Sequence, residues 1–435
     1  MNPIRVGVLS FHNSTETKAI CNAIDELGHT PVWLRRHNVA ARIRDGVAET
    51  TPAVDVVVNR LLVTKSDTPL CDLSMAEVLA ADHPTVNHPS AVTASVHKYR
   101  AATALVDAGV PVPDTGLPFG RAIPEGWDDE WGGPLVRKPP IGTNGAGVEL
   151  VDEPSPTRDP GTLVQRFHAS GSGQHADIRV YVVDGRVVGA MRRTAPDGEW
   201  RSNVALGGEV ADVTSDLSDA IRRHAVRATD ALGLDCAGVD VVRGADGPVV
   251  IEVNPTAGFK GLFEATGTSA APFIAAAALE RVGRTVPSSE VSAIADTLDD
   301  SVPECKPPRP AGDGGRAVLG YTTDVSVGGE SGGATVSAKV DTGADRTTID
   351  IDVANDVGAG PVVGVADVKV GTTSKRRPLV DVDVRIDGDR WRDLEVGIAD
   401  RSGKRHPVLL GRDVLDEFRI DPRHDGAEDA VDREE

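Results

Sequence analysis

The sequence predicts an α/β chain followed by an all-β domain. Three observations carry this. Strand-like and helix-like patterns alternate as far as about residue 290. A Pro- and Gly-rich stretch, VPECKPPRPAGDGGR, follows with no periodicity. Beyond it come short alternating apolar runs with almost no helical spacing.

Taken in order, IRVGVLS reads as a buried strand, STETKAICNAIDELGH as a helix capped by Ser14 or Thr15, and VDVVVNRL as a second strand. After the VNHPS turn, SAVTASVHKYRAATALVDAGV keeps helical spacing and ends at Gly109, and Pro111 and Pro113 hold the next residues extended. GGPLVRKPP, TLVQRFH, DIRVYVVDG and RVVGAMRR are β runs, with a tight hairpin at VDG. SDLSDAIRRHAVRATDALGL is an amphipathic helix, and AGVDVVRGADGPVVIEVNP is a hairpin turning at Ala245 to Gly247. ATVSAKV, PVVGVADVKV, PLVDVDVRI and DLEVGI follow the linker, and DPRHDGAEDAVDREE reads as a disordered acidic tail. The boundaries expected are 1–90 for a first α/β domain, 91–290 for a second, 291–316 for the linker, 317–422 for the β domain and 423–435 for the tail.

A length of 435 residues exceeds one compact core. The net charge of −20, with aromatics at 3%, implies a carboxylate-rich hydrated surface and argues against DNA, which needs a basic stripe. Such a surface repels itself in dilute buffer and is screened in strong salt, so a salt-adapted, halophilic setting is expected. The four cysteines are far apart, which points to neither a disulfide framework nor a thiolate metal site. The start, MNPIRVGVLSFHN, does not resemble a signal peptide, and no apolar run reaches spanning length; a cytoplasmic protein with no membrane partner is expected.

The sharpest constellation is the hairpin with Asp240, Glu252 and Asn254. Residues 252 and 254 share one face of a strand, and the paired strand can bring Asp240 opposite. Hard oxygen donors of this kind suit Mg²⁺ completed by phosphate oxygens, although a half-exposed hairpin would also carry polar residues there. GTNGAGV, with Gly142, Gly145 and Gly147, is a loop whose backbone N–H groups can cover phosphates, and Lys138 lies just before it. Lys98 is a further cation. Arg192, Arg193, Arg201 and Asn203 supply charge and a donor where phosphoryl charge would develop, or else belong to a solvated edge.

Residues 1 to 285 resemble the RimK-type ATP-grasp ligases, through VHKYRAATALVDAGVPVPDTG, GGPLVRKPPIGTNGAGVEL, DIRVYVVDGRVVGAMRR, WRSN and AGVDVVRGADGPVVIEVNPTAGFKGL. The resemblance implies an N-terminal pre-ATP-grasp unit and an ATP-grasp domain. It also implies ATP contacted by Lys98 and Lys138 and covered by the GTNGAG loop, with Asp177 near the ribose. Arg201, Ser202 and Asn203 would lie at the triphosphate, with Arg201 and Asn203 reaching the reacting carboxylate. Asp240, Glu252 and Asn254 would hold two Mg²⁺ ions, for which Mn²⁺ can substitute, and Arg192 or Arg193 would support an acyl phosphate. Arg166 and Phe167 occupy the adenine hinge, where Arg166 departs from the acidic residue usual in the family. The activity implied is phosphorylation of a carboxylate by ATP and attack by an amine. Family members join glutamate or a similar amino acid to a protein, a cofactor or a carrier.

In the β part, ATVSAKV runs into Asp341-Thr342-Gly343, a turn that presents a carboxylate rigidly, and PVLLGRDVL follows near residue 411. These blocks resemble retropepsin-like acid-protease barrels. Over residues 316 to 422 the closer likeness is to the RimB-like family labelled ATP-dependent zinc proteases, through AKVDTGADRTTI, RRPLVDVDVRIDGDRWRDLEV and HPVLLGRDVLDEF. Acid-protease chemistry needs two carboxylates about 3 Å apart, and this chain has one such turn, so a homo-oligomer is expected if Asp341 is catalytic. Three readings stand: a glutamate ligase whose barrel trims the product, a peptidase with a nucleotide-sensing first part, and a ligase with a docking or dimerisation barrel.

Overall fold

The computed structural model describes residues 2–119, 131, 133–142, 147–151, 161–168, 175–196, 198–202, 208–244, 247–301, 303–305, 317–370, 373–422 and 424. The chain forms two compact units. One comprises Met1–Leu9, Ala19–Val32 and Ala41–Asp300, and the other Ser10–Lys18, Trp33–Ala40 and Ser301–Glu435.

The first elements are β1 (Arg5–Leu9), α1 (Thr15–Glu26), β2 (Thr30–Leu34), β3 (Ala40–Arg44), β4 (Val47–Thr51), β5 (Val56–Asn59), α2 (Pro69–Asp82) and β6 (Thr85–Val86). A four-stranded sheet runs β2-β1-β5-β6, with β1, β5 and β6 parallel. The apolar runs of β1 and β5 are buried, as strands of a parallel sheet are. Ser14 is the cap of α1, its Oγ accepting from the Thr17 N–H at 3.1 Å. The β3–β4 hairpin is absent from the sequence reading because its residues are mostly polar. Its Asp45-Gly46 turn, with φ of 52° and 79°, is the local signal for it.

The single helix expected up to Gly109 is two helices, α3 (Pro89–Val96) and α4 (Lys98–Asp107). His97 breaks them: its backbone is extended, at φ −85° and ψ 106°, and its Nδ1 accepts from the Arg100 N–H at 3.3 Å. Lys98 therefore starts α4, where its N–H has no helical partner, and it donates instead to the Pro140 carbonyl at 2.8 Å.

Next come β7 (Thr115–Gly116), β8 (Leu135–Lys138), β9 (Glu149–Val151) and β10 (Leu163–Arg166), in a sheet ordered β7-β10-β8-β9. A five-stranded antiparallel sheet, β13-β12-β11-β14-β15, is built from β11 (Ala176–Val183), β12 (Arg186–Thr194), β13 (Glu209–Asp212), β14 (Cys236–Gly244) and β15 (Gly247–Asn254). One face of it is apolar. Ile178, Val180, Val182, Val239 and Val241 pack there with Ile221, Ala225 and Ala228 of the helix Asp219–Ala231, and with Ala101 and Leu105 of α4. The other face carries Asp177, Arg179, Arg193, Asp240 and Glu252, with Tyr181 and Met191 beside them.

Asn87 fixes both ends of the β14–β15 hairpin. Fully buried and left-handed at φ 53°, it accepts at Oδ1 from the N–H groups of Asp235 (2.9 Å) and Cys236 (3.0 Å). Its Nδ2 donates to the carbonyls of Cys236 and Pro255, both at 2.7 Å.

The second unit contains β16 (Val318–Leu319), β17 (Thr322–Gly329), β18 (Gly332–Val340), β19 (Thr348–Asp350), β20 (Val362–Val370), β21 (Thr373–Ile386), β22 (Trp391–Ala399), β23 (Val408–Leu410) and β24 (Arg419–Ile420). The sheet order β17-β18-β23-β19-β22-β21-β20, closed by a β17–β21 pairing, makes a barrel with β20 flanking β21. Val325, Val327, Val340, Ile349, Val382, Val384, Val396 and Leu410 fill its interior.

Replacing Asn87 with Ala removes four hydrogen bonds, two of them buried, from the N–H groups of Asp235 and Cys236 and the carbonyls of Cys236 and Pro255. Denaturant unfolding should show a loss of roughly 3 kcal/mol, and a loss below about 0.5 kcal/mol would remove Asn87 from its role as the hairpin clamp.

Candidate active site

Strand register assembles the site. Asp177 lies opposite Arg193, Arg179 opposite Asp240, Asp240 opposite Glu252, and Gly238 opposite Asn254. A bulge at Ile251 keeps Glu252 on the polar face while Val250 and Val253, three residues apart, both reach the apolar core. Alternation along β12 separates the two arginines: Arg193 is buried and Arg192 is exposed.

Arg193 donates through Nε and Nη2 to both oxygens of Asp177, at 2.6 and 2.8 Å, and its Nη2 stands 3.0 Å from Asp240 Oδ2. Arg179 grips the same Asp240 with Nε and Nη2, at 2.7 and 2.8 Å. Ser202 Oγ donates to Asp177 Oδ2 at 2.6 Å. Burial opposes the charge on Asp240, yet the two guanidiniums hold its carboxyl down to about 2. Burial pushes Asp177 up, aided by Asp240 and resisted by Arg193. Gly238 makes room for Arg179, since a Cβ there would stand 3.3 Å from the Arg179 Cδ and 2.6 Å from the Ala257 Cβ.

Lys98 Nζ pairs with Glu252 Oε1 at 2.6 Å and donates to the Gly142 carbonyl at 2.8 Å. Lys138 is buried and donates to Gln165 Oε1 at 2.7 Å, and Gln165 Nε2 donates to Thr115 Oγ1 at 2.9 Å. Burial pulls the Lys138 ammonium down to about 8, with Glu252 opposing the shift. Four cations (Lys98, Lys138, Arg179 and Arg193) thus face three carboxylates (Asp177, Asp240 and Glu252), a net positive site on a chain of charge −20. Such a balance favours an anionic ligand.

The remaining predicted residues are dispersed around this group. Arg201 pairs with Glu199, its Nη2 2.8 Å from Oε2. Arg166 is half-exposed, 3.7 Å from Asp114, and its N–H donates to the Asp114 carbonyl at 2.9 Å. Phe167 packs edge-on to Trp200, with centroids 5.8 Å apart, and its N–H donates to the Pro134 carbonyl at 3.1 Å. Gly142 and Gly147 flank the glycine-rich turn; Gly145 and Asn203 lie outside the described residues. The sequence reading missed Arg179 and Gln165. The signal for Arg179 was period-two spacing, which puts it on the same strand face as Asp177.

In the second unit the Asp341 N–H donates to the Leu410 carbonyl, and Asp341 Oδ1 accepts from the Gly343 N–H, each at 3.0 Å. Lys339 Nζ is 3.8 Å from Asp341 Oδ2. The turn is braced by the GRD segment. Asp413 accepts from Thr347 N–H (2.8 Å) and Oγ1 (2.7 Å), and the Gly411 N–H donates to Thr347 Oγ1 at 3.0 Å. A Cβ on Gly411 would meet the Arg346 backbone at 2.4 Å, so this approach requires glycine. His406 Nδ1 lies 2.8 Å from Ser337 Oγ.

The RimK-like ATP-grasp domain model matches residues 95–278, and the aspartyl protease model matches residues 324–414. A protein of Shewanella amazonensis named probable alpha-L-glutamate ligase 2 is 30% identical over 285 residues, 62% of this chain and 93% of that one. The chain belongs to the RimK-like ATP-grasp ligase family. A probable alpha-L-glutamate ligase of Aeromonas salmonicida is 38% identical to this RimK-like ligase over 196 residues, 43% of this chain and 64% of that one. Among solved structures, the ATP-grasp ligase PsnB complexed with minimal precursor, Mg and ADP shares the fold. Its TM-score is 0.51 at 20% identity, covering 65% of this chain and 99% of that one.

The two neighbouring arginines give a direct test of the site's electrostatics. Arg193→Ala strands Asp177 and weakens the hold on Asp240, and should cost roughly 3–5 kcal/mol in urea unfolding. Arg192→Ala should stay within about 0.5 kcal/mol of the parent. Equal effects would contradict the burial difference.

Proposed function

We propose that this RimK-like ligase uses ATP to activate a carboxylate as an acyl phosphate and couples it to L-glutamate on a protein or peptide acceptor, and that its barrel trims the product. The observation that carries the ligase reading is the net positive polar face, with Asp240 and Glu252 in register and Lys98 and Lys138 beside them. The relatives named alpha-L-glutamate ligases support glutamate, and the neighbour holding a precursor, Mg and ADP is in line with a peptide acceptor and Mg·ATP.

The donor set fits a magnesium ion that arrives with nucleotide. Glu252 and Asn254 offer hard oxygens on one strand face, and Glu252 keeps 29% of its side chain exposed. Both oxygens of Asp240 are held by arginine, and among the described residues no group of three or more His, Cys, Asp or Glu side chains converges. A metal here would complete its shell with phosphate oxygens, as Mg²⁺ commonly does. When bound, the nucleotide supplies the phosphoryl group and the metal offsets its charge. Glu252 would exchange its Lys98 partner for the metal, leaving the Lys98 ammonium beside Gly142 and the phosphates. Lys138 would add a second point charge. Arg193 and Arg179, fixed by Asp177 and Asp240, provide cations that need no rearrangement as charge builds.

For the barrel, the braced Asp341 turn supports an acid-protease reading that takes its second carboxylate from another copy of the chain. A docking or dimerisation role uses the same fold without cleavage.

Glu252→Ala should lower amino-acid-dependent ADP release by at least ~100-fold, beyond what an outer partner of a metal ligand costs; full activity would refute the metal assignment. Asp341→Asn should abolish peptide cleavage and leave ADP formation intact. ADP affinity should weaken as pH rises through about 8, where Lys138 loses its proton, whereas an ordinary lysine stays charged to about 10.4. Lys138→Arg should remove that dependence in titrations of ADP binding.

A further inference from the structure

Two cavities of the first unit meet at Lys98 and Glu252. One follows β15 back from Glu252 and is lined by Lys98, Lys138 and Gln165. The other follows the chain forward from Glu252 to Thr256, and its wall is largely aliphatic: Leu61, Leu62 and Val63 after β5, and Val92 and Val96 of α3.

We propose that the second cavity seats the carboxylate substrate by a small aliphatic side chain, so that the enzyme activates the terminal carboxyl of acceptors ending in an apolar residue and stops after one glutamate. This rests on the ligase reading above. The forward cavity carries Gly142 and the donors Glu252 and Asn254 among its lining, where the metal and phosphates would sit, which leaves its aliphatic wall for the group that receives the phosphoryl at the Lys98–Glu252 junction.

The wall has little to offer a charged side chain. Thr256 Oγ1 donates to the Leu61 carbonyl at 3.1 Å, and Ser95 Oγ to the Val92 carbonyl at 2.8 Å. Lys98, the sole cation among the described lining residues, is engaged by Glu252 and Gly142. Thr64 and Asn254 remain as neutral polar groups. A methyl or isopropyl group loses nothing on entering, whereas a carboxylate or ammonium leaves water for a wall whose charged groups, Lys98 and Glu252, are already paired with each other. An acceptor that has gained one glutamate ends in an acid and no longer fits, which limits addition to one residue.

The test uses the full chain with Mg²⁺ and ADP, and labelled peptides that differ in their last residue: Val, Ala, Gln, Glu or Lys. In fluorescence anisotropy, Val- and Ala-ended peptides should bind at least about tenfold tighter than Glu- or Lys-ended ones, and amidation of the terminus should weaken them. Leu62→Lys should shift the preference toward Glu-ended peptides. Val96→Thr, which keeps the volume, should weaken Val-ended binding several-fold even if the first variant folds poorly. With ATP, intact mass should show a single glutamate on a Val-ended peptide. Equal binding of all peptides, no binding of any at millimolar concentration, a preference for acidic ends, or a ladder of additions would each overturn the proposal. ADP binding measured in the same samples separates this from the ligase reading, which fails if ADP does not bind, whatever the peptides do.

Discussion

Asp240 is a buried carboxylate enclosed by two guanidiniums, and the ligase site depends on that arrangement. An isolated charge at this depth would be untenable. Arg179 and Arg193 remove the penalty, and in doing so they fix the directions of three antiparallel strands relative to one another. Asp177 and Ser202 extend the same network to the next segment of chain. The charges proposed to serve phosphoryl chemistry therefore also hold the sheet's polar face in register. Activity and folding are difficult to separate by single substitutions at these five residues.

Much of this was legible in the sequence, because period-two alternation is a direct readout of strand faces. Asp240, Glu252 and Asn254 could be placed together from spacing alone, and Lys138 beside the glycine-rich turn likewise. Four things were not legible. The break at His97 depends on one backbone angle inside a run whose apolar spacing continues smoothly on both sides. Choosing Arg193 over Arg192 required the register of β12 against β11. Arg179 was overlooked because its partner, Asp240, is 61 residues away, and no local pattern announces an ion pair across strands. The β3–β4 hairpin, solvent-exposed and polar, lacks the hydrophobic signal on which such readings rest.

The second unit follows a different logic. Its closed ring of strands positions Asp341 through backbone hydrogen bonds and the Thr347–Asp413 brace, with one exposed cation, Lys339, 3.8 Å away. Two blocks some 70 residues apart in sequence, DTGAD and GRD, meet in one turn cluster, and this is why both were needed to recognise the fold. A carboxylate held this way is rigid, and its chemistry depends on what approaches it.

The bulge at Ile251 gives the hairpin a particular mutational profile. On either side of that residue, odd and even positions exchange faces. Removing Ile251 would restore plain alternation with Val250 still inward and Glu252 still on the polar face, whereas removing Val253 would turn Asn254 toward the apolar core. The hairpin should therefore accept loss of a residue at the bulge while rejecting changes of length elsewhere along β15. Across homologues of this segment, gaps in an alignment would gather at the bulge.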